Sequence, residues 1–237
     1  MNSTKTTFGA MLLACALLSG SWRPDGVARA ALTDEIQVYD AESNEVGQFS
    51  VELHNNFTAI GHHVPDFPGG IVPNHTLMGV PEWAYGVTDW FEAGLYLPVY
   101  SLTGEGHLLF DSSKLRALFV TPHAAERSFF YGINFELSYN MCQWDPSHWA
   151  GEIRPIIGGR IGPVDIIVNP IFDTEFRGGI KSLDFVPCER VAYNFSKTWA
   201  LALEHYEDYG LPYAWARLDQ QDQTLFTRES LTVSSLE

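Results

Sequence analysis

The chain has 237 residues, with 29 Asp and Glu against 14 Lys and Arg, and a formal net charge of −15. That length suits one domain, and the acidity argues against a nucleic-acid partner, whose phosphates need Lys and Arg. No run of 18 apolar residues is present, so no transmembrane helix is expected.

Residues 1–30 read as a secretory signal. Lys5 supplies the positive n-region, residues 8–18 an apolar h-region too short to span a bilayer, and Ala28-Arg29-Ala30 a small-x-small cleavage site. A lipoprotein cut before Cys15 is the rival, but the apolar run before that cysteine is very short and continues beyond it. Cleavage after Ala30 removes Lys5, Arg23, Arg29 and Asp25, leaving a net charge of −17. Such a charge suits solubility, calcium-bridged lipopolysaccharide contacts or a cation-favouring lumen. Residues 31–47, with Asp34, Glu35, Asp40, Glu42 and Glu45, are acidic and aperiodic, and are expected to form a periplasmic lead-in.

From residue 48 the pattern has period two, the period with which side chains alternate faces along a strand. Strand one is predicted over 48–57, with Phe49, Val51 and Leu53 opposite Ser50, Glu52 and His54. A long loop over 58–75 follows, then strand two over 77–87, with Trp83, Tyr85 and Val87 opposite Glu82, Ala84 and Gly86. After a Thr88-Asp89 turn, strand three over 90–102 sets Phe91, Ala93, Leu95, Leu97 and Val99 against Glu92, Gly94, Tyr96 and Tyr100. A loop over 103–111 leads to strand four over 112–121, where Leu115, Ala117 and Phe119 oppose Lys114, Arg116 and Leu118. Strand five over 129–140 is the clearest: Tyr131, Ile133, Phe135, Leu137 and Tyr139 point one way, and Gly132, Asn134, Glu136 and Ser138 the other. Strand six over 149–161 carries Glu152, Arg154 and Arg160 on its polar face; strand seven over 164–173 carries Asp165, Asn169 and Asp173. Strands eight over 184–195 and nine over 198–208 follow, and residues 223–226 begin a weak tenth.

Stretches of about 10 residues with this period, joined alternately by two-residue turns and long loops, are the mark of an antiparallel transmembrane barrel. Aromatics flank the short turns, as Tyr85, Trp90 and Phe91 do at one and Tyr193, Phe195 and Trp199 at another, which suits the membrane interfaces. The alternative is a soluble sandwich or lipocalin-like barrel with its apolar face inward. Strand length favours the membrane, since globular strands run to about 5–6 residues.

The segment Tyr85-Gly86-Val87-Thr88-Asp89-Trp90-Phe91-Glu92-Ala93-Gly94-Leu95 resembles the periplasmic hairpin of small bacterial outer-membrane barrels. Among these is the outer-membrane family named for the meta-pathway of phenol degradation, together with uncharacterised relatives. Residues 193–201 look like a looser copy of that hairpin, and the resemblance extends over roughly Gly47 to Tyr209. It implies an up-and-down barrel, and the family name implies uptake of small compounds, aromatic ones included. The chain departs from the pattern at its end. Such barrels finish on a terminal aromatic that the assembly machinery reads, whereas this chain finishes on polar residues and Glu237. An open edge cannot face lipid, so closure of the barrel is in question.

The sequence is thus read as an all-β, antiparallel up-and-down transmembrane barrel of about ten strands, incomplete or polar at its C-terminus, spanning 48–237 in the bacterial outer membrane. Lumen-facing candidates are Glu52, Glu82, Glu92, Lys114, Arg116, Asn134, Glu136, Glu152, Arg154, Asp165, Asn169, Arg190 and Glu204. They serve either as a salt-bridge network that fills a narrow barrel or as a lining that selects solutes. Expected partners are outer-membrane lipids, the barrel-assembly machinery and a small-molecule solute. No cofactor, metal or catalytic residue is assigned. His62, His63 and His75 share a loop with Asp66 without ligand-motif spacing. Ser147-His148, and Ser138 with Glu136, could in principle serve a lipid-acting acyl hydrolase, but adjacent residues are not triad geometry and no G-x-S-x-G elbow exists. Cys142 and Cys188 are expected on non-adjacent strands, which disfavours a disulfide.

Overall fold

The computed structural model describes residues 37–176, 183–196 and 199–210, and the backbone of 226–235. The predicted export signal and residues 31–36 lie outside the described residues, as does most of the stretch between strand nine and the last strand.

Twelve strands form one antiparallel sheet: β1 Phe49–Phe57, β2 Leu77–Thr88, β3 Phe91–Leu102, β4 Leu108–Val120, β5 Phe129–Asn140, β6 Trp149–Ile161, β7 Val164–Asn169, β8 Phe172–Thr174, β9 Leu183–Phe185, β10 Cys188–Asn194, β11 Trp199–Asp208 and β12 Phe226–Ser235. Neighbours follow the order β1-β2-β3-β4-β5-β6-β7-β10-β11-β12, with β8 pairing β6 and β9 beside this path. Among the described residues one 3-10 turn, Ala124–Glu126, sits between β4 and β5. The sheet is a curled half-barrel whose path ends at β1 and β12, and no pairing between those two is seen among the described residues.

Three local departures from the sequence pattern have identifiable causes. The two long strands expected over 164–173 and 184–195 are each broken at a proline, Pro170 and Pro187. Proline donates no N–H and interrupts a ladder, so each predicted strand becomes a pair, β7 with β8 and β9 with β10. The loop expected over 103–111 shrinks to five residues, 103–107, because Leu108, Leu109 and Phe110 pair with Leu102, Ser101 and Tyr100. Gly106, at φ +87°, allows the turn to close through Gly106 N–H to Thr103 O at 2.8 Å. In β3 the register slips between Tyr96 and Val99, a bulge of one extra residue around Pro98. Past it the faces exchange: Val99 and Ser101 are fully buried, and Tyr100, expected on the polar face, turns its hydroxyl to Asn55.

The two faces of the sheet differ sharply. On the convex side Phe49, Val51, Leu53, Leu115, Tyr131, Ile153, Ile157 and Trp199 are all exposed. On the concave side Glu82, Glu92, Asn134, Glu136, Arg154, Asn169 and Glu204 are buried. This inverts the arrangement of a soluble sandwich. Near the two-residue turns the aromatics pack on one another, Trp90 and Phe91 stacked against Phe119 at centroid distances of 6.0 and 4.9 Å, and Tyr193 edge-on to Phe195 at 5.4 Å.

The apolar core lies on the concave side and includes Val38, Tyr39 and Ala41 with Leu118, Val120, Phe130, Ile156 and Ile167. The Phe130 ring packs against Gly158, where a Cβ would meet it at 2.0 Å. Residues 37–47, expected as an aperiodic lead-in, cross the concave face as a strap. Gly47 N–H to Gly86 O at 2.7 Å ties its end to β2.

Candidate functional site: the concave polar face

Residues directly opposite in an antiparallel ladder share a face, so register places the predicted lumen residues. One row runs Glu52, Glu82, Tyr96, Lys114, Ser138 across β1 to β5. A second runs Gly94, Arg116, Glu136, Glu152, Asp173, Asp184 across β3 to β9. A third runs Glu92, Leu118, Asn134, Arg154. Asp165 lies opposite Arg160, Arg190 opposite Glu204, and Asn169 opposite Cys188. All thirteen candidates therefore lie on the concave face, with Glu52 the one that stays exposed.

Most of these charges are paired. Glu82 accepts from Arg116 Nη2 and sits against His54 Nε2, each at 3.0 Å, and Arg116 also holds Glu92. Lys114 reaches Glu136 at 3.5 Å, and Arg190 reaches Glu204 at 3.6 Å. Arg154 grips Glu152 with two bonds, 2.6 and 3.0 Å, the fork geometry that makes Arg–carboxylate pairs strong. Arg160 lies 3.8 Å from Asp165 and 3.5 Å from Glu42. Such a network adds little net stability but makes each member costly to remove singly.

The second row is the exception to this balance. Glu136, Glu152, Asp173 and Asp184 stand directly opposite one another on four neighbouring strands. Like charges so placed are destabilising. Lys114, Arg116 and Arg154 compensate its β5–β6 end. The row makes the concave face attractive to cations. Asp173 was legible as a polar-face residue of its strand, whereas Asp184 joins the row only through register.

The strap is built into the same network. Asn169 acts as a substitute strand for Tyr39: its Oδ1 accepts the Tyr39 N–H at 2.7 Å and its Nδ2 donates to Tyr39 O at 3.0 Å. The Tyr39 hydroxyl meets the Tyr96 hydroxyl at 2.7 Å. Its ring lies under Arg154 at 4.3 Å and Arg116 at 5.7 Å. Arg154 also donates to Gln37 O at 3.0 Å, and Asn44 N–H to Glu92 at 2.6 Å. Burial, and next the Asp40 carboxylate, raise the Glu42 carboxyl above its ordinary range against the pull of Arg160. Two cavities of about 300 and 310 Å³ flank the strap. Nothing in the hydrophobic periodicity announces this segment. Its only signals are Tyr39 and Val38 in a run of acids.

Among the described residues, the other sequence candidates do not converge on a shared site. His62 lies 3.3 Å from exposed Asp66 in the 58–76 loop. Ser147 donates its hydroxyl to Glu175 O at 2.9 Å, and His148 Nδ1 pairs with Asn140 O at 2.8 Å, so each is committed to main chain rather than to the other. Cys142 is exposed in a loop and Cys188 is buried on β10, and both are free thiols. Among the described residues, Glu52, His54 and Glu82 form the group whose ligand atoms lie within 4.8 Å of one another. Arg116 already binds Glu82, so a cation there would compete with it.

No protein-family model, no curated protein and no solved structure matches this chain.

Proposed function

We propose that this protein is an outer-membrane β-barrel, exported by residues 1–30, through which small solutes pass or on which they bind, without catalysis. The observation that carries the reading is the inverted polarity of the sheet. Large apolar side chains such as Leu115, Ile153 and Trp199 are exposed on the convex face while the charges are buried on the concave one. Exposed apolar surface on this scale needs a nonaqueous partner, and lipid is the partner that the 9–13 residues of strands β1 to β6 fit. In the membrane, β1 and β12 would have to be satisfied, and mutual pairing is the simplest way to close the sheet. Lipids and the barrel-assembly machinery are then obligatory partners. The acidic row favours cationic or neutral solutes over anions.

The main-chain commitments of Ser147 and His148 support a non-enzymatic role. A non-conducting, structural barrel is the second reading, and the strap across the concave face favours it.

The test is heat modifiability on a semi-native gel, together with carbonate extraction, using membranes of cells that export the full chain. A band that shifts on boiling and resists carbonate is expected. A soluble, unshifted protein would refute the membrane assignment.

A further inference from the structure

Two cavities lie on the concave side, and the same four residues, Ala41, Glu42, Ser43 and Asn44, line both. The first, about 300 Å³, continues along β1–β4 past Glu52, Glu82, Glu92 and Arg116. The second, about 310 Å³, opens towards the two-residue-turn end past Asp89, Thr121, His123 and Glu126. A four-residue septum therefore separates two spaces at different heights on one face.

The fastening of this septum is uneven. Above it Tyr39 is anchored by Asn169, Tyr96 and the two guanidinium groups. At its lower end Asn44 donates its N–H to Glu92 at 2.6 Å and its side-chain amide to Ser50 at 2.7 Å, and Gly47 beyond it donates to Gly86. Between these points Ala41 packs in the apolar core and Glu42 pairs with Arg160 at 3.5 Å, an ion pair whose carboxylate side chain is 55% exposed. Such a half-exposed pair holds the chain only weakly. Gly86 accommodates the lower fastening, because a Cβ there would stand 2.2 Å from Glu45 O and 2.6 Å from Asn44 O.

We propose that residues 37–46 are an internal plug, and that withdrawing the 41–44 septum joins the two cavities into one passage that prefers cations. This rests on the membrane reading given above. On that reading the export signal ends at Ala30, so the plug lies close to a free end and can leave without unpairing any strand. The wall it exposes carries Glu52, Glu82 and Glu92 against Arg116, an acidic excess that attracts small cations and repels anions.

The test uses the full exported chain, purified and reconstituted in planar bilayers between unequal KCl solutions. It is compared with a deletion of residues 39–44 and with Gly86→Val, which removes nothing and drives a side chain into the carbonyls of Asn44 and Glu45. The native chain is expected to give a flat trace. Both variants should give resolved open steps with a reversal potential on the potassium side. The same preparations are run for heat modifiability. If Gly86→Val shifts on boiling like the native chain and stays closed, the plug is refuted and the barrel stands. A native chain that conducts as well as the variants refutes it equally. If the native chain does not shift on boiling, the membrane reading falls and the plug with it. Should the deletion fail to fold, Gly86→Val decides alone.

Discussion

Arg154→Met would test whether the concave network is held by matched burial of charge. The Arg154 guanidinium makes two bonds to Glu152, at 2.6 and 3.0 Å, one to Gln37 O at 3.0 Å, and covers the Tyr39 ring at 4.3 Å. Its removal leaves the Glu152 carboxylate between Glu136 and Asp173, which stand directly opposite it on either side. Breaking a buried pair from one side costs about 3–5 kcal/mol, because a charge is left uncompensated. Glu152→Gln with Arg154→Met removes that charge too. It forfeits only the strap contacts, about 1–2 kcal/mol for the cation–π contact and the bond to Gln37 O. Glu152→Gln alone should be near neutral, because Glu136 and Asp173 flank the same position and keep Arg154 among acids; the two sites should then be coupled by about 2–3 kcal/mol in a double-mutant cycle. Urea unfolding of the reconstituted protein, followed by tryptophan emission, measures all four corners. An Arg154→Met variant costing less than about 1 kcal/mol, on the scale of exposed pairs, would refute the reasoning. So would a double variant as unstable as Arg154→Met alone, since Glu152 would then be hydrated in the folded state.

Leu115→Arg places a charge on an exposed residue halfway along β4. It should cost about 2–4 kcal/mol in a bilayer, and a change within about 0.5 kcal/mol, as for a water-exposed surface site, would count against lipid contact. Glu42→Gln addresses pH. A carboxyl raised on folding is a liability above its raised value and is neutral below its ordinary one. The variant should match or exceed the native protein at neutral pH, and the difference should vanish as both forms become uncharged in acid. A loss of more than about 1 kcal/mol at neutral pH would mean that the pair with Arg160 dominates. Asp173→Asn with Asp184→Asn shortens the acidic row, and in the plug-free deletion it should lower the preference for potassium over chloride. An unchanged reversal potential would remove that row from the passage.

The class of fold could be read directly from residues 48–208 because the period-two signal is local. Each strand declares its own two faces, so β5 with its alternation of Tyr131, Ile133 and Phe135 against Asn134 and Glu136 needed no tertiary information. The thirteen polar candidates shared a face for the same reason. Interruptions were less legible. The prolines at 170 and 187 were visible, but alternation carried across them. The slip at Pro98 exchanged the faces of Val99 and Tyr100 without any break in hydrophobicity.

What the amino-acid sequence determined by itself is therefore the sidedness of each strand, which follows from backbone geometry and needs no partner. Only the tertiary structure decided the direction in which the sheet curls, and hence that the charges lie inside. It also decided which acids stand opposite one another, since Glu136, Glu152, Asp173 and Asp184 lie on four separate strands and meet only through register. The strap is the clearest case. Tyr39 finds Asn169 across 130 residues of sequence, and a contact whose two halves have no shared period leaves no trace in a one-dimensional pattern.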